Sequence, residues 1–126
     1  MTPHFILYVR DQEAATAFYE TVLDQKPRLN VPGMTEFRLS DTAVLGLMPV
    51  QGIKNLLGDA LPHASETGRF PGAELYLLVS DPGACHQRAL TAGAKELSPL
   101  EPRDWGHTAA YSRDPDGYVL VFARET

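Results

Sequence analysis

Two eight-residue segments, 70 positions apart, constrain this chain more than any other feature. Residues 4–11 read HFILYVRD and residues 74–81 read ELYLLVSD. Each opens on an ionisable residue, runs through five apolar residues and closes on an Asp. Asp is a strong helix N-cap, because its carboxylate accepts from amides that the first helical turn leaves unpaired. After Asp11 comes QEAATAFYETVL, with Ala15, Phe18, Tyr19 and Val22 at helical spacing. After Asp81 comes PGACHQRALTAGA, with Pro82 at the first helical position and Gly93 where a helix would end. Strand, cap and helix therefore repeat in register.

Each helix leads into three strand-like segments. In the first half these are residues 27–31, 35–40 (TEFRLS) and 43–49 (AVLGLMP). In the second they are residues 95–99, 107–113 (HTAAYSR) and 118–124 (YVLVFAR). The last is entered through Asp114, Pro115, Asp116 and Gly117, where Pro115 presets its own φ and Gly117 takes the positive φ of a tight turn. Each half reads β-α-β-β-β. The expected organisation is one domain over 1–126, with a first module at 1–49, a connector at 50–71 and a second module at 72–126. The connector is rich in Gly and Pro, and within it IKNLL is expected to form a helical turn.

Composition excludes several classes. A net charge of −5 and no clustered Lys/Arg stripe argue against a general nucleic-acid binder. The single cysteine, Cys85, leaves no intrachain disulfide, and its mid-helix position reads as a small apolar role rather than a nucleophile. The opening MTPHFILYVRDQE has no basic region and only a short apolar run, so neither a signal peptide nor a membrane span is expected. The expected location is cytoplasmic, with no membrane or nucleic-acid partner.

Taken together, HFILYVRD, AFYETVLDQKP, ELYLLVSD, RDWGH and DPDGYVLVF resemble the vicinal oxygen chelate superfamily, across nearly the whole chain. That superfamily includes glyoxalase I, extradiol dioxygenases, fosfomycin-modifying enzymes and bleomycin-resistance proteins. The resemblance implies an α+β fold of paired βαβββ modules, with a curled mixed sheet forming a cleft, and a homodimer. It also implies four metal-ligand positions in the family's metal enzymes, which fall here at His4, Gly46, Glu74 and Val121. Gly46 and Val121 offer no ligand. Glu125 lies too far along its strand, His63 falls in the connector and His86 on the second helix, which leaves His107 as the one candidate recruit. Two side-chain donors make a weak site, so neither a tightly bound metal nor another cofactor is expected. In place of the metal, His4 and Glu74 are expected to pair, with Arg38 competing for Glu74.

Alternation along strands then assigns faces. Phe5, Leu7, Val9, Phe37 and Leu39 are expected on the helix side. His4, Ile6, Tyr8, Glu36, Arg38, Glu74, Tyr76 and Leu78 are expected in the cleft, with Trp105, His107, Ala109, Tyr111 and Arg113 sharing one parity. The expected ligand-binding set is His4, Tyr8, Arg38, Glu74, Tyr76, Trp105, His107 and Tyr111, with Gly106 leaving room for a guest beside Trp105. No catalytic residue is assigned. The expected function is a metal-independent binding protein that sequesters a small organic ligand, such as a drug or an aromatic or cationic compound, as in antibiotic resistance. An alternative stays open: a lyase, isomerase or dioxygenase with an atypical metal site, or with His107 and Tyr111 as acid–base groups.

Overall fold

The Asp11 carboxylate accepts from the Ala14 amide at 3.0 Å and the Asp81 carboxylate from the Ala84 amide at 3.1 Å, so both helices start where their caps stand. In this computed structural model, which describes residues 1–60 and 73–126, they are α1 (Gln12–Leu23) and a later helix, Pro82–Thr91. The first stops on Asp24, which takes a left-handed φ of 53°, and the second is followed by Gly93 at φ 115°. Gly93 adopts that conformation without the Cβ clash that Asp24 must tolerate.

The chain divides into two compact units, Met1–Thr67 and Gly68–Thr126. In the first, β1 (His4–Val9) precedes α1, and β2 (Leu29–Val31), β3 (Met34–Ser40) and β4 (Ala43–Pro49) follow it. They form a four-stranded sheet in the order β1-β4-β3-β2, with β1 parallel to β4 and the other pairs antiparallel. A second helix, α2 (Val50–Leu57), and a short 3₁₀ turn (Gly58–Ala60) come next. The IKNLL segment is thus part of a helix longer than one turn, which buries Ile53 and packs against β4 and β1. His63 lies outside the described residues.

The second unit repeats the plan. Its strands are β5 (Glu74–Leu78), β6 (Lys95–Pro102), β7 (His107–Arg113) and β8 (Val119–Glu125), with α3 (Pro82–Thr91) between β5 and β6. The sheet order is β5-β8-β7-β6, again with the first strand parallel to the last. Strand β6 runs past the expected 95–99, and its register against β7 shifts twice between Glu96 and Glu101.

Helices cover one side of each sheet. In the first unit Phe18, Tyr19 and Val22 of α1 are buried, as are Phe37, Leu45 and Leu47 of the sheet, each contributing about 1.5–3 kcal/mol through burial. Thr35 is buried among them, its hydroxyl 2.8 Å from that of Thr16 and accepting from Gln12 Nε2 at 3.0 Å. Phe5 departs from expectation. It is 57% exposed, because β1 is an edge strand and α1 packs over β3 and β4 instead. In the second unit Leu120 and Phe122 of β8 and Ala89 of α3 are buried, and α3 packs on β6, β7 and β8. Among the described residues, no helix is long and apolar enough to cross a membrane.

Candidate functional site

Cross-strand register builds one face of the second unit from a few short rows. Tyr76, Val121 and Tyr111 lie side by side on β5, β8 and β7, next to a row of Leu78, Ala123 and Ala109. Val121, Ala123 and Ala109 form a fully buried floor, against which Tyr76, Tyr111 and Val119 pack. Tyr76 and Tyr111 are only partly buried over these small residues.

The Tyr76 hydroxyl has two partners. The Tyr76 hydroxyl lies 2.6 Å from Nδ1 of His107, and Trp105 Nε1 donates to the same hydroxyl at 3.1 Å. The Tyr76 and His107 rings are 5.8 Å apart between centroids and tilted by 35°. Trp105 remains 52% exposed. It is not on a strand, as its parity suggested: β7 begins at His107, and Trp105 sits in the hairpin turn before it. That turn closes with the Arg103 amide donating to the His107 carbonyl at 2.7 Å and with Gly106 at φ 89°. The left-handed φ of Gly106 suits glycine, and a Cβ there would meet nothing within 4 Å.

Arg103 escaped the sequence reading. Its Nε and Nη2 donate to the Ala109 carbonyl at 3.2 and 2.8 Å, and Nη2 also reaches Ser98 Oγ and the Pro99 carbonyl, each at 2.9 Å. Nη1 meets Glu101 at 2.7 Å, and the guanidinium lies 5.2 Å from the centre of the Tyr111 ring. Burial pushes the Tyr111 phenol above its usual range, and the negative charge of Glu74 pushes the same way while Arg103 opposes it. His107 and Tyr111, the acid–base groups of the alternative reading, do not contact each other. Four residues along a strand separate them by about 13 Å, and Tyr76, from the far side of β8, takes the place of Tyr111.

On the corresponding face of the first unit, Ile6, Gly46 and Glu36 form the matching row across β1, β4 and β3. Glu36 Oε1 accepts from Arg28 through Nε at 3.0 Å and Nη2 at 2.9 Å, and Oε2 lies 3.5 Å from His4 Nδ1. The β2–β3 hairpin brings Arg28 there, with its amide donating to the Glu36 carbonyl at 2.8 Å. The expected partner of His4, Glu74, belongs to the other unit; within its own unit His4 faces Glu36. Tyr8 is half-exposed on β1, in register with Met48. Arg38 is exposed on β3, opposite Val44.

A divalent metal centre does not fit these residues. A Cβ at Gly46 would stand 3.0 Å from Ile6 Cγ1 and 3.3 Å from Met34 Sδ, so neighbouring side chains already fill the space a ligand would grow into. Val121 is sealed beneath two tyrosines, and Glu36 already holds a guanidinium. Among the described residues, no group of three or more His, Cys, Asp and Glu side chains is assembled to hold an ion. His86 is buried on α3 with Nε2 at 2.9 Å from Glu96. Burial pushes the Cys85 thiol up, away from the reactive thiolate, in line with a packing role.

Comparison with known proteins agrees with the geometry. An uncharacterized protein of Mycobacterium bovis is 29% identical over 126 residues, covering 94% of this chain and 78% of that one. A glyoxalase-related enzyme from Fulvimarina pelagi superposes with a TM-score of 0.84 at 23% identity, over 99% of this chain and 88% of its own. A glyoxalase/bleomycin resistance protein/dioxygenase family enzyme from Burkholderia phytofirmans gives a TM-score of 0.82 at 16% identity, over 98% and 97%. At such identities the structures share the fold alone. A family model matches residues 2–122, and with it the repeated βαβββ plan reaches its conclusion: the chain belongs to the Glyoxalase/Bleomycin resistance protein/Dioxygenase superfamily.

Proposed function

We propose that this protein is a metal-independent binder of small aromatic compounds, holding a drug-like ligand without turnover, as sequestering members of its superfamily do. The observation that carries the reading is the Trp105–Tyr76–His107 chain, whose Tyr76 packs on the buried Ala109, Val121 and Ala123. Partly buried aromatic rings on an apolar base, an exposed indole and a few convergent polar atoms are what a site for a flat organic ligand needs. The composition of the metal-ligand positions supports the same reading, since Gly46 and Val121 supply no donor atoms. A homodimer in the cytoplasm is proposed as its working form.

The test uses the sole tryptophan. A thermal-shift screen of aromatic compounds selects ligands, and their binding is followed by Trp105 emission. Stacking on the indole is worth about 1 kcal/mol beyond contact area, so Trp105→Ala should weaken binding several-fold or more. Ligands that bind with unchanged emission, and equally well to Trp105→Ala, would remove this face from the site. A loss of dimer in that variant would instead place Trp105 at a subunit contact.

The Tyr76–His107 contact favours one second reading, proton transfer in a lyase or isomerase. Turnover of a screened ligand that is lost in both Tyr76→Phe and His107→Gln would establish it.

A further inference from the structure

Two carboxylates bracket the aromatic row of the second unit. Glu74 lies in the row Glu74–Val119–Arg113, and Glu125 lies opposite His107. Strand alternation puts both on the side where Tyr76 and Tyr111 pack over Val121 and Ala123. Glu20, Glu36, Glu96 and Glu101 each hold a cationic or imidazole partner. Among the described residues, Glu74 and Glu125 form no salt bridge.

The two guanidiniums nearby are directed elsewhere. Arg103 holds Glu101 through Nη1 at 2.7 Å, and its other nitrogens reach backbone carbonyls. Arg113 donates from Nε to the Gly117 carbonyl at 3.0 Å, and its Nη2 stands 3.3 Å from where a Gly117 Cβ would be, so its head folds over the 114–117 turn. With Arg103 balanced by Glu101, two carboxylates face one guanidinium, an excess of negative charge beside the rings. Burial first, and then the charge of Glu74, push the Tyr111 phenol up, so that carboxylate acts on the aromatic row itself. The row also accepts a cation from its own chain, since the Arg103 guanidinium lies 5.2 Å from the centre of the Tyr111 ring.

We infer that the second unit's face selects an aromatic ligand bearing a protonated amine, with Glu74 and Glu125 as the residues that select its charge. The inference rests on the binding reading above and narrows it to one charge class. No bond is made or broken.

Three compounds with closely matched skeletons test it on the full ¹⁵N-labelled chain: 1-phenylethylammonium, the uncharged 1-phenylethanol and the anionic 2-phenylpropanoate. Affinities are read from the Trp105 indole resonance and the amides of Tyr76, Tyr111 and their neighbours. The ammonium should bind roughly fivefold more tightly than the alcohol, and the carboxylate most weakly. Added salt should narrow the margin. Glu74→Gln/Glu125→Gln should bring the ammonium down to the alcohol's affinity, with the alcohol's own affinity unchanged. Glu13→Gln/Asp41→Asn removes the same charge from exposed positions of the first unit and should leave the preference standing. Equal binding of ammonium and alcohol to the native chain overturns the charge assignment and leaves the binding reading intact. So does a preference that survives Glu74→Gln/Glu125→Gln, or one that falls as far in the first-unit variant. If none of the three compounds perturbs the resonances of this face, the binding reading falls and the assignment with it.

Discussion

Arg28 grips Glu36 through two nitrogens on one carboxylate oxygen, at 3.0 and 2.9 Å. The forked contact puts a fixed positive charge on the carboxylate that lies 3.5 Å from His4, in a row where the neighbouring β4 position is a glycine. A cation is already supplied there by the chain itself.

Metal content should reflect that. Protein incubated with zinc, nickel, manganese or iron and then dialysed is expected to retain well under one ion per chain. Near-stoichiometric metal that vanishes in His4→Ala would overturn the metal-independent reading. Metal that survives this substitution would point to a surface site elsewhere.

Installing a ligand at the fourth family position should be costly. Val121 is fully buried beneath Tyr76 and Tyr111, and Val121→Glu places a carboxyl there with no partner. The expected loss is roughly 3 kcal/mol or more, seen as a lower urea midpoint at an unchanged slope. A midpoint within error of the native one would show that the floor opens readily.

Arg103 is expected to matter more for stability than its place in a surface turn suggests. Arg103→Ala leaves the Ala109 and Pro99 carbonyls without their guanidinium and should cost about 2–3 kcal/mol. Arg103→Lys keeps the charge but not the fork, and should recover less than half. Full recovery by lysine would mean that the charge, and not the fork, carries the contribution of Arg103.

Tyr111 gives a signed pH dependence. Its phenol titrates above the ordinary range, first because of burial and then because of Glu74. A raised folded-state value means that its stabilising contribution is complete below the unfolded phenol's pKa of about 10 and is lost as pH rises through the folded value. Ultraviolet titration compared with Tyr111→Phe should show the Tyr111 phenol ionising late, and Glu74→Gln should move that step earlier without reaching the ordinary range. No movement in that variant would remove Glu74 as a cause.

The sequence showed the frame of the fold better than the groups that work on it. Asp11 and Asp81 were legible as caps because capping depends on neighbours within one turn, and the strands followed from alternation. Tyr76 and His107 were legible as members of one face, because parity decides that. Their contact was not, since it spans 31 positions and depends on β5 and β7 flanking β8. Arg103 was hidden for a related reason: its acceptors are backbone carbonyls, which carry no residue signature, displayed by an irregular β6. Arg28 required the β2–β3 register. Trp105 was misplaced because parity was extended past the end of β7 into a turn, where alternation no longer holds.

The two matching rows, Ile6–Gly46–Glu36 and Tyr76–Val121–Tyr111, occupy equivalent places in equivalent sheets yet share no residue. Repetition has therefore left this chain with no spare copy of either face. A lesion in the aromatic row cannot be covered by its counterpart, which carries a charge pair on apolar neighbours. Each half can acquire new chemistry without duplicating an old one, and each can lose its own outright.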